Sequence, residues 1–226
     1  MAVLSFKCKR GGFQMLSYRI IEPHTLELLK QLCQEPYLKD CRLVGGTALA
    51  LQYGHRQSVD LDMFGSFDLE KNRLFDVILK PYAKVEPIKD GSTIKMCFMD
   101  GVKVDFVNYS IYPWIDDPIE EDGLRLASPK DIAALKINAI EGRGSKKDFV
   151  DVYFLLQHYS LDEILDFYSL KYPNYSIYRA LMSLTYFADA DLKEMPAMFE
   201  DVSWDEIKEF VKKQVAMYER SANKTL

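Results

Sequence analysis

Residues 44–64 read VGGTALALQYGHRQSVDLDMF, and this stretch decides the fold. A glycine pair, Gly45-Gly46, separates an apolar run from a helical pattern; it lets the backbone approach a ligand, and the helix N-terminus that follows favours an anion. After thirteen intervening residues comes Asp60-Leu61-Asp62, in an alternating pattern that predicts a half-buried strand. Asp60 and Asp62 then face the same side. Two carboxylates in so apolar a setting require a compensating partner.

The flanking patterns predict a mixed sheet with helices. Helices are predicted over 23–34, 47–53 and 68–79, and strands over 41–45, 59–64, 84–88, 93–99 and 102–109. Asp100-Gly101 between two alternating runs predicts a two-residue turn between antiparallel strands. Residues 115–122 contain five acids and no base, and we interpret them as an acidic loop.

After Leu126 the chain changes to helical spacing. Ser128 is a plausible N-cap and Pro129 the first helical residue of SPKDIAALKINAIEGR. Four more segments with helical spacing follow: SKKDFVDVYFLLQHY, SLDEILDFYSLKY, NYSIYRALMSLTYF and SWDEIKEFVKKQVAMYER. The sequence therefore predicts an α+β fold, with an α/β part over residues 1–125 and an all-helical part over 126–226.

Composition narrows the class of protein. The 226 residues are 48% hydrophobic and 28% charged, which is ordinary for a globular protein. The net charge of −5 argues against a surface that is basic all round, although it allows a local basic patch. Four scattered cysteines predict neither a zinc site nor a disulfide framework. The absence of a signal-peptide core or membrane-length apolar window leads us to expect a cytoplasmic protein.

A third carboxylate comes from the apolar run VKVDFV, which contains Asp105. If that strand lies beside the DLD strand, then Asp105 joins Asp60 and Asp62 on one polar face. Three close carboxylates repel each other unless a cation sits among them or one is protonated, and oxygen ligands of this kind suit Mg²⁺. The alternative is a solvent-facing strand edge whose acids pair with lysines.

The combination of strand, GGT, helix, DLD and a later strand aspartate resembles the nucleotidyltransferase superfamily. More narrowly, GGTALALQYGHRQSVDLDMF, LASPKDIAALKINAI and KKDFVDVYFLL resemble the AbiEii-type toxins of abortive-infection and type IV toxin–antitoxin systems. The resemblance covers roughly residues 40–158 and implies a nucleotidyltransferase-like mixed sheet whose active-site cleft is completed by the helical part. It also implies two Mg²⁺ ions and transfer of a nucleotidyl group from a nucleoside triphosphate to a hydroxyl.

The resemblance also implies roles for individual residues. Asp60, Asp62 and Asp105 would hold the metals, and Asp105 would in addition accept the proton of the attacking hydroxyl. Lys136 would contact the nucleotide phosphates, and Asp148 would orient Lys136 or the substrate. The residues expected to bind the nucleotide are Gly45, Gly46, Thr47, Arg56 and Lys136.

Several side chains keep two interpretations at this stage. Arg56 either clamps triphosphate oxygens or is a surface arginine paired with an acid. His55 either caps backbone carbonyls or contacts substrate, and Ser58 is a plausible turn cap. Asp151, three residues after Asp148, shares its helical face, and the sequence does not rank the two. Lys146 and Lys147 would suit an RNA backbone. The aromatic residues of the C-terminal half are expected mainly in the core.

These observations predict a Mg²⁺-dependent nucleotidyltransferase of bacterial or archaeal cytoplasm. The expected acceptor is RNA, in particular tRNA, and the expected partner is a separate antitoxin protein. The acidic net charge keeps a small cationic acceptor such as an aminoglycoside as an alternative, alongside a protein acceptor. A non-catalytic nucleotide-binding module of the same fold is the other alternative, although all three carboxylates are present.

Overall fold

The computed structural model describes residues 15–66 and 84–222, and the helix predicted over 68–79 lies outside them. The described chain forms a seven-stranded mixed sheet in the order β3-β4-β5-β2-β1-β7-β6. The strands are β1 Arg42–Val44, β2 Leu61–Gly65, β3 Val85–Asp90, β4 Ile94–Met99, β5 Val102–Asn108, β6 Ile119–Glu121 and β7 Leu124–Leu126.

Eight α-helices accompany this sheet in the described ranges. They are α1 Pro23–Gln34, α2 Gly45–Tyr53, α3 Pro129–Arg143, α4 Lys146–Leu155, α5 Leu161–Lys171, α6 Ile177–Leu184, α7 Ala188–Asp191 and α8 Trp204–Ala222. Short 3-10 turns occur at Tyr18–Ile20 and Pro36–Leu38. The α+β fold predicted from the sequence is therefore confirmed, with five of the helices following the sheet strands in the positions that helical spacing indicates.

The centre of the sheet brings the distant acids together. β2 pairs with β5 in parallel, and the register places Asp62 opposite Asp105. Leu61 and Met63 alternate with these acids and are fully buried, as the period of two requires. β2 begins at Leu61, two residues later than predicted. Asp60 lies just before it, and Val59 is 54% exposed.

Two Asp-Gly turns shape the sheet, and only one was predicted. Asp100 and Gly101 both have positive φ and join antiparallel β4 and β5, which confirms the predicted hairpin. Asp122 and Gly123 have the same conformation and join β6 to β7. The interpretation of residues 115–122 as a loop was therefore wrong in part, because β6 Ile119–Glu121 is an edge strand.

Helix boundaries follow the local signals. Gly54 ends α2 in the left-handed conformation, and the side chain of Ser128 caps α3 by accepting a hydrogen bond from the Asp131 N–H. α2 begins at Gly45, two residues earlier than predicted, so that the glycine pair forms its first turn.

Some aromatic side chains of the C-terminal half lie in the core and others lie at the surface. Phe154, Tyr168, Tyr172 and Phe187 are buried as expected, whereas three tyrosines are exposed. These exposed residues are Tyr175, Tyr178 and Tyr186. Cys33, Cys41 and Cys97 are free and buried. In the described ranges, none of the helices has the length and apolarity needed to cross a membrane.

Candidate active site

A cleft beside the N-terminus of α2 contains most of the predicted site. The residues that line it are Gly45, Gly46, Thr47, Arg56, Ser58, Asp60, Asp62, Lys103, Asp105, Lys136, Arg143 and Lys147. All predicted site residues except Asp148 line the cleft, and Asp148 lies behind it in contact with Lys136. The cleft therefore lies between the sheet and the helices α3 and α4.

Glycine is required where α2 begins. Gly45 has a φ of 70°, a left-handed conformation, and a Cβ at this position would overlap Oδ2 of Asp62. A Cβ at Gly46 would overlap Nη2 of Arg56. The pair thus lets a carboxylate and a guanidinium approach the backbone closely, and the free N–H groups of the first helical turn open towards an anion.

Thr47 and Ser58 connect this helix to the segment before β2. The Thr47 hydroxyl lies 2.8 Å from Ser58 Oγ and donates a short hydrogen bond to the carbonyl of Asp60. Thr47 is 1% exposed, so its side chain fixes the position of Asp60 relative to the glycine turn. That contact gives Ser58 a more specific role than a turn cap.

The acidic face is only partly compensated by the protein. The buried Oδ1 of Asp105 has no hydrogen-bond partner among the described residues, while Oδ2 accepts one from Lys103 Nζ at 2.8 Å. Burial raises the pKa of the Asp62 carboxyl, and the neighbouring Asp105 raises it further. Asp60 is closer to solvent, with Lys147 Nζ 3.7 Å from its Oδ2. This face requires additional positive charge.

Magnesium fits the pair of carboxylates at the centre of the sheet. Within residues 15–66 and 84–222, no three His, Cys, Asp or Glu side chains are arranged to hold a metal ion. Mg²⁺ is nevertheless usually held by one or two protein carboxylates, with waters and substrate phosphates as the other ligands. Asp62 and Asp105, with its unpartnered Oδ1, match that donor set.

A buried network of charges forms the opposite wall. Asp151 is fully buried and accepts two hydrogen bonds from Arg56, from Nε at 2.7 Å and from Nη2 at 2.9 Å. Lys136 Nζ lies 2.7 Å from Asp151 and 2.9 Å from Asp148. Arg143 donates two further hydrogen bonds to Asp148. We call these five side chains the ion network.

The ion network keeps its charges at neutral pH. Burial alone would raise the pKa of Asp151, but Arg56 and Lys136 hold it well below its usual range. Burial would likewise raise the pKa of Asp148, but Lys136 and Arg143 lower it. For Lys136, burial acts to lower the pKa, and the two aspartates outweigh burial and raise it. Three cations against two anions give the wall an excess of positive charge.

The structure decides several alternatives that the sequence left open. Arg56 is not a surface arginine: it is 3% exposed and bound to Asp151. His55 neither caps a carbonyl with its side chain nor lines the cleft, because it is fully buried with Nε2 2.8 Å from Asp151. Asp151 contacts Arg56, His55 and Lys136, whereas Asp148 contacts Lys136 and Arg143.

Three cationic residues of the cleft were not assigned a nucleotide contact from the sequence. Lys103 precedes Asp105 by two residues on β5, and the strand period alone places them on one face. Arg143 occupies the last position of α3, and Lys147 lies in the first turn of α4. Their side chains are 58% and 44% exposed, which leaves them accessible to a ligand.

Comparison with known proteins agrees with this geometry. A sequence model of the family described as nucleotidyl transferase AbiEii toxin, type IV toxin–antitoxin system, matches residues 27–218. The chain belongs to the AbiEii toxin family. It is 32% identical to an uncharacterised protein of Aquifex aeolicus in an alignment of 213 positions that covers 88% of this chain and 98% of that one. The family assignment makes the protein a nucleotidyltransferase.

A solved structure supports the AbiEii fold. The crystal structure of a proposed nucleotidyltransferase from H. pylori superimposes with a TM-score of 0.52 and 19% sequence identity. The match covers 93% of this chain and 99% of that chain. At this identity the similarity establishes a shared nucleotidyltransferase fold, and the roles of individual residues rest on the geometry of this AbiEii protein.

Substitution of Gly45 tests the close approach at the start of α2. Gly45→Ala is expected to lower nucleotidyl transfer at least tenfold, because the new Cβ displaces the Asp62 carboxylate. The left-handed φ should also reduce the free energy of unfolding by about 1–2 kcal/mol. The matched control is Gly142→Ala in α3, where a Cβ meets nothing within 4 Å. This control should leave activity unchanged and should increase the free energy of unfolding by about 0.5–1 kcal/mol. Equal behaviour of the two variants would contradict the role of Gly45.

Proposed function

We propose that this AbiEii protein transfers a nucleotidyl group from a nucleoside triphosphate to a hydroxyl of an RNA acceptor, in a Mg²⁺-dependent reaction. The observation that carries the proposal is the parallel β2–β5 pair, which sets Asp62 beside Asp105 next to the N-terminus of α2. Acidic ligands for a metal and an anion-binding helix terminus thereby share one cleft. A non-catalytic module has no need of this costly arrangement of buried acids.

Backbone N–H groups and cationic side chains of the cleft provide the binding site for the triphosphate. The N–H groups of Gly45 and Gly46 and the accessible cations Lys147 and Arg143 bind the triphosphate. Lys136, held by Asp148 and Asp151, contributes fixed positive charge behind them. Because the donors are pre-positioned by buried contacts, they need little reorganisation when phosphate charge develops in the transition state.

The acids provide the metal ligands and the proton acceptor. Asp62 and Asp105 would hold Mg²⁺, and two ions bound there would polarise the α-phosphate and lower the pKa of the attacking hydroxyl. Asp60, just before β2, is not grouped with them as a third direct ligand. Asp105 accepts the hydroxyl proton. The hydroxyl oxygen forms a bond to the α-phosphorus as the bond to the bridging oxygen breaks, and pyrophosphate leaves.

We place the reaction in a type IV toxin–antitoxin pair of a bacterial or archaeal cytoplasm, with a separate antitoxin protein as partner. The family match supports this setting through its description as a type IV toxin. The sheet-bearing residues 1–125 would act as the catalytic part and residues 126–226 as the helical part that closes the cleft. Asp151 of the helical part binds Arg56 of the sheet-bearing part, and Lys136 of the helical part lines the cleft, which supports this division.

Transfer of labelled nucleotide tests the proposal directly. The purified protein is incubated with each α-³²P-labelled nucleoside triphosphate, with Mg²⁺ or with EDTA, and offered tRNA or an aminoglycoside. We expect label on tRNA with Mg²⁺ and none with EDTA. Label on the aminoglycoside alone would replace RNA by a small cationic acceptor. Label on neither would refute both acceptors.

A further inference from the structure

A second cavity opens beside the cleft and shares Asp60 and Lys103 with it. We call it the side groove. Its described walls include Glu22 and His24 at the start of α1, Val59 before β2, and Phe98 and Asp100 of the β4–β5 hairpin. Its volume of about 370 Å³ lies within the range of about 300–1,000 Å³ that ligand pockets occupy. The side groove is therefore large enough for a ring-sized group.

The side groove lies at the end of the cleft that holds Asp105. Lys103 lines both cavities and donates a hydrogen bond to Asp105 at 2.8 Å. Arg143 and Lys147 line the cleft alone and come from the helical side. With the triphosphate bound at the cationic end, an acceptor approaches Asp105 from the side groove. This step rests on the proposed function.

The charges of the side groove are unfavourable for phosphate. Glu22, Asp60 and Asp100 contribute carboxylates, and the ammonium of Lys103 is engaged by Asp105. A phosphate placed in the side groove would face these carboxylates, and like charges repel each other. The bound part of an acceptor is therefore neutral or cationic.

Two apolar side chains give the side groove a surface for a flat ring. Phe98 is 39% exposed between the buried residues Cys97 and Met99, and Val59 is 54% exposed. An exposed aromatic face next to a reactive centre is suited to stacking, which contributes about 1–3 kcal/mol for a nucleic-acid base. His24 and Thr25 add polar groups at the rim.

We propose that the side groove binds the ring that carries the acceptor hydroxyl, and that this ring places no phosphate inside the groove. Phe98 supports the face of the ring, and Glu22 and Asp100 exclude phosphate. A hydroxyl-terminated RNA end, whose one linking phosphodiester would lie outside the side groove, and an aminosugar both meet this condition. Glu22, Phe98 and Asp100 thus determine which acceptor is used and leave the binding of the nucleoside triphosphate unaffected.

Direct binding tests the proposal without requiring turnover. Saturation-transfer NMR would measure cytidine, adenosine, their 3′,5′-bisphosphates and kanamycin against the full-length protein, with Mg²⁺ and an α,β-methylene triphosphate present. We expect each nucleoside to bind at least tenfold more tightly than its bisphosphate. Phe98→Ala should weaken ring binding at least fivefold. In Glu22→Gln/Asp100→Asn the preference over the bisphosphate should fall below threefold, and asparagine tolerates the left-handed conformation of residue 100.

The controls separate this inference from the proposed function. Tyr178→Ala removes an aromatic ring that is 70% exposed on α6, and it should bind every ligand as the wild type does. Nucleoside binding assigns the groove to an RNA end, whereas tighter kanamycin binding that depends on Glu22 and Asp100 assigns it to an aminosugar. Equal affinity for nucleoside and bisphosphate, or no effect of Phe98→Ala, overturns the inference. Failure of label transfer with this binding pattern intact refutes only the proposed function.

Discussion

Asp151→Asn is expected to reduce the free energy of unfolding by about 3–5 kcal/mol, the usual cost of removing one partner from a buried ion pair. Asp151 is fully buried and accepts hydrogen bonds from Arg56, His55 and Lys136. In the variant, two buried cations lose the charge that compensates them. Asp148 alone then faces three cations, and it is already occupied by Lys136 and Arg143.

Urea denaturation followed by circular dichroism measures this loss. The matched control is Glu209→Gln, which removes a carboxylate from an exposed pair with Lys212 on α8 and should leave the midpoint unchanged. If the two variants lost stability equally, the ion network would not be a stabilising element of the fold. Lys136→Met provides a second measurement, since it removes a cation and leaves the Arg56–Asp151 pair intact.

The pH dependence of Asp151→Asn identifies the charge as the cause. The folded pKa of Asp151 is depressed, so its contribution is complete above the unfolded pKa of about 3.9 and is lost as pH falls through the folded value. The contribution of the Asp151 charge should therefore be present in full from pH 5 to 7, and protonation of His55, whose pKa Asp151 acts to raise, would widen the difference between wild type and variant. The difference should narrow below about pH 4. A difference that is independent of pH throughout would indicate a packing defect.

Local sequence signals predicted much of the sheet and of its acidic face. The Asp-Gly pair at 100–101 predicted the β4–β5 hairpin, and alternation around DLD and VKVDFV predicted two strands with acids on a common face. The sequence predicted that Asp105 lies beside Asp62 only on the condition that their two strands are neighbours, which they are. Adjacency of two strands separated by some forty residues depends on the whole sheet, which periodicity does not encode.

Short elements escaped detection for a different reason. β6 and β7 have three residues each, too few to show alternation, although Asp122-Gly123 carries the same turn signal as Asp100-Gly101. The high density of acids around β6 resembled a loop. The strand forms because β7 offers it an antiparallel edge, so tertiary context overrides the weak local propensity.

The partners of the buried cations could not be read from the sequence. The resemblance associated Lys136 with the nucleotide phosphates and with Asp148, but Asp151 binds the same ammonium at 2.7 Å. Arg56 and Asp151 are 95 positions apart. They meet because α2, which ends just before residues 55–57, packs against α4. Such contacts between distant segments leave no periodic trace.

Asp62→Asn is expected to lower the rate of nucleotidyl transfer by about three orders of magnitude, because it removes a charged metal ligand at the reacting phosphate. The amide keeps the shape of the carboxylate, so the register with Asp105 and the contact with Gly45 should persist. The matched control is Glu86→Gln on β3, an exposed acid in the same sheet. It should retain wild-type activity.

Although Asp62→Asn lowers activity, it should raise the stability of the protein when no metal is present. Burial and Asp105 raise the folded pKa of Asp62 above its unfolded value, so ionisation destabilises the folded state. The stability associated with the protonated group is complete below the unfolded pKa and is lost as pH rises through the folded value. At pH 7 in EDTA, Asp62→Asn should therefore unfold at a higher urea concentration than wild type.

Together the two measurements distinguish a catalytic acid from a structural one. A structural Asp62 would lose stability in the variant and retain activity in proportion to the folded fraction. If Asp62 is a metal ligand, the variant is more stable than the wild type in EDTA and has lost activity. It also lacks the stabilisation that Mg²⁺ and a nucleoside triphosphate give to the wild type. Full activity in a folded Asp62→Asn protein would remove the central acid from the mechanism. If activity is lost as expected, a cation and a triphosphate bound in the cleft compensate the unfavourable burial of Asp62 beside Asp105.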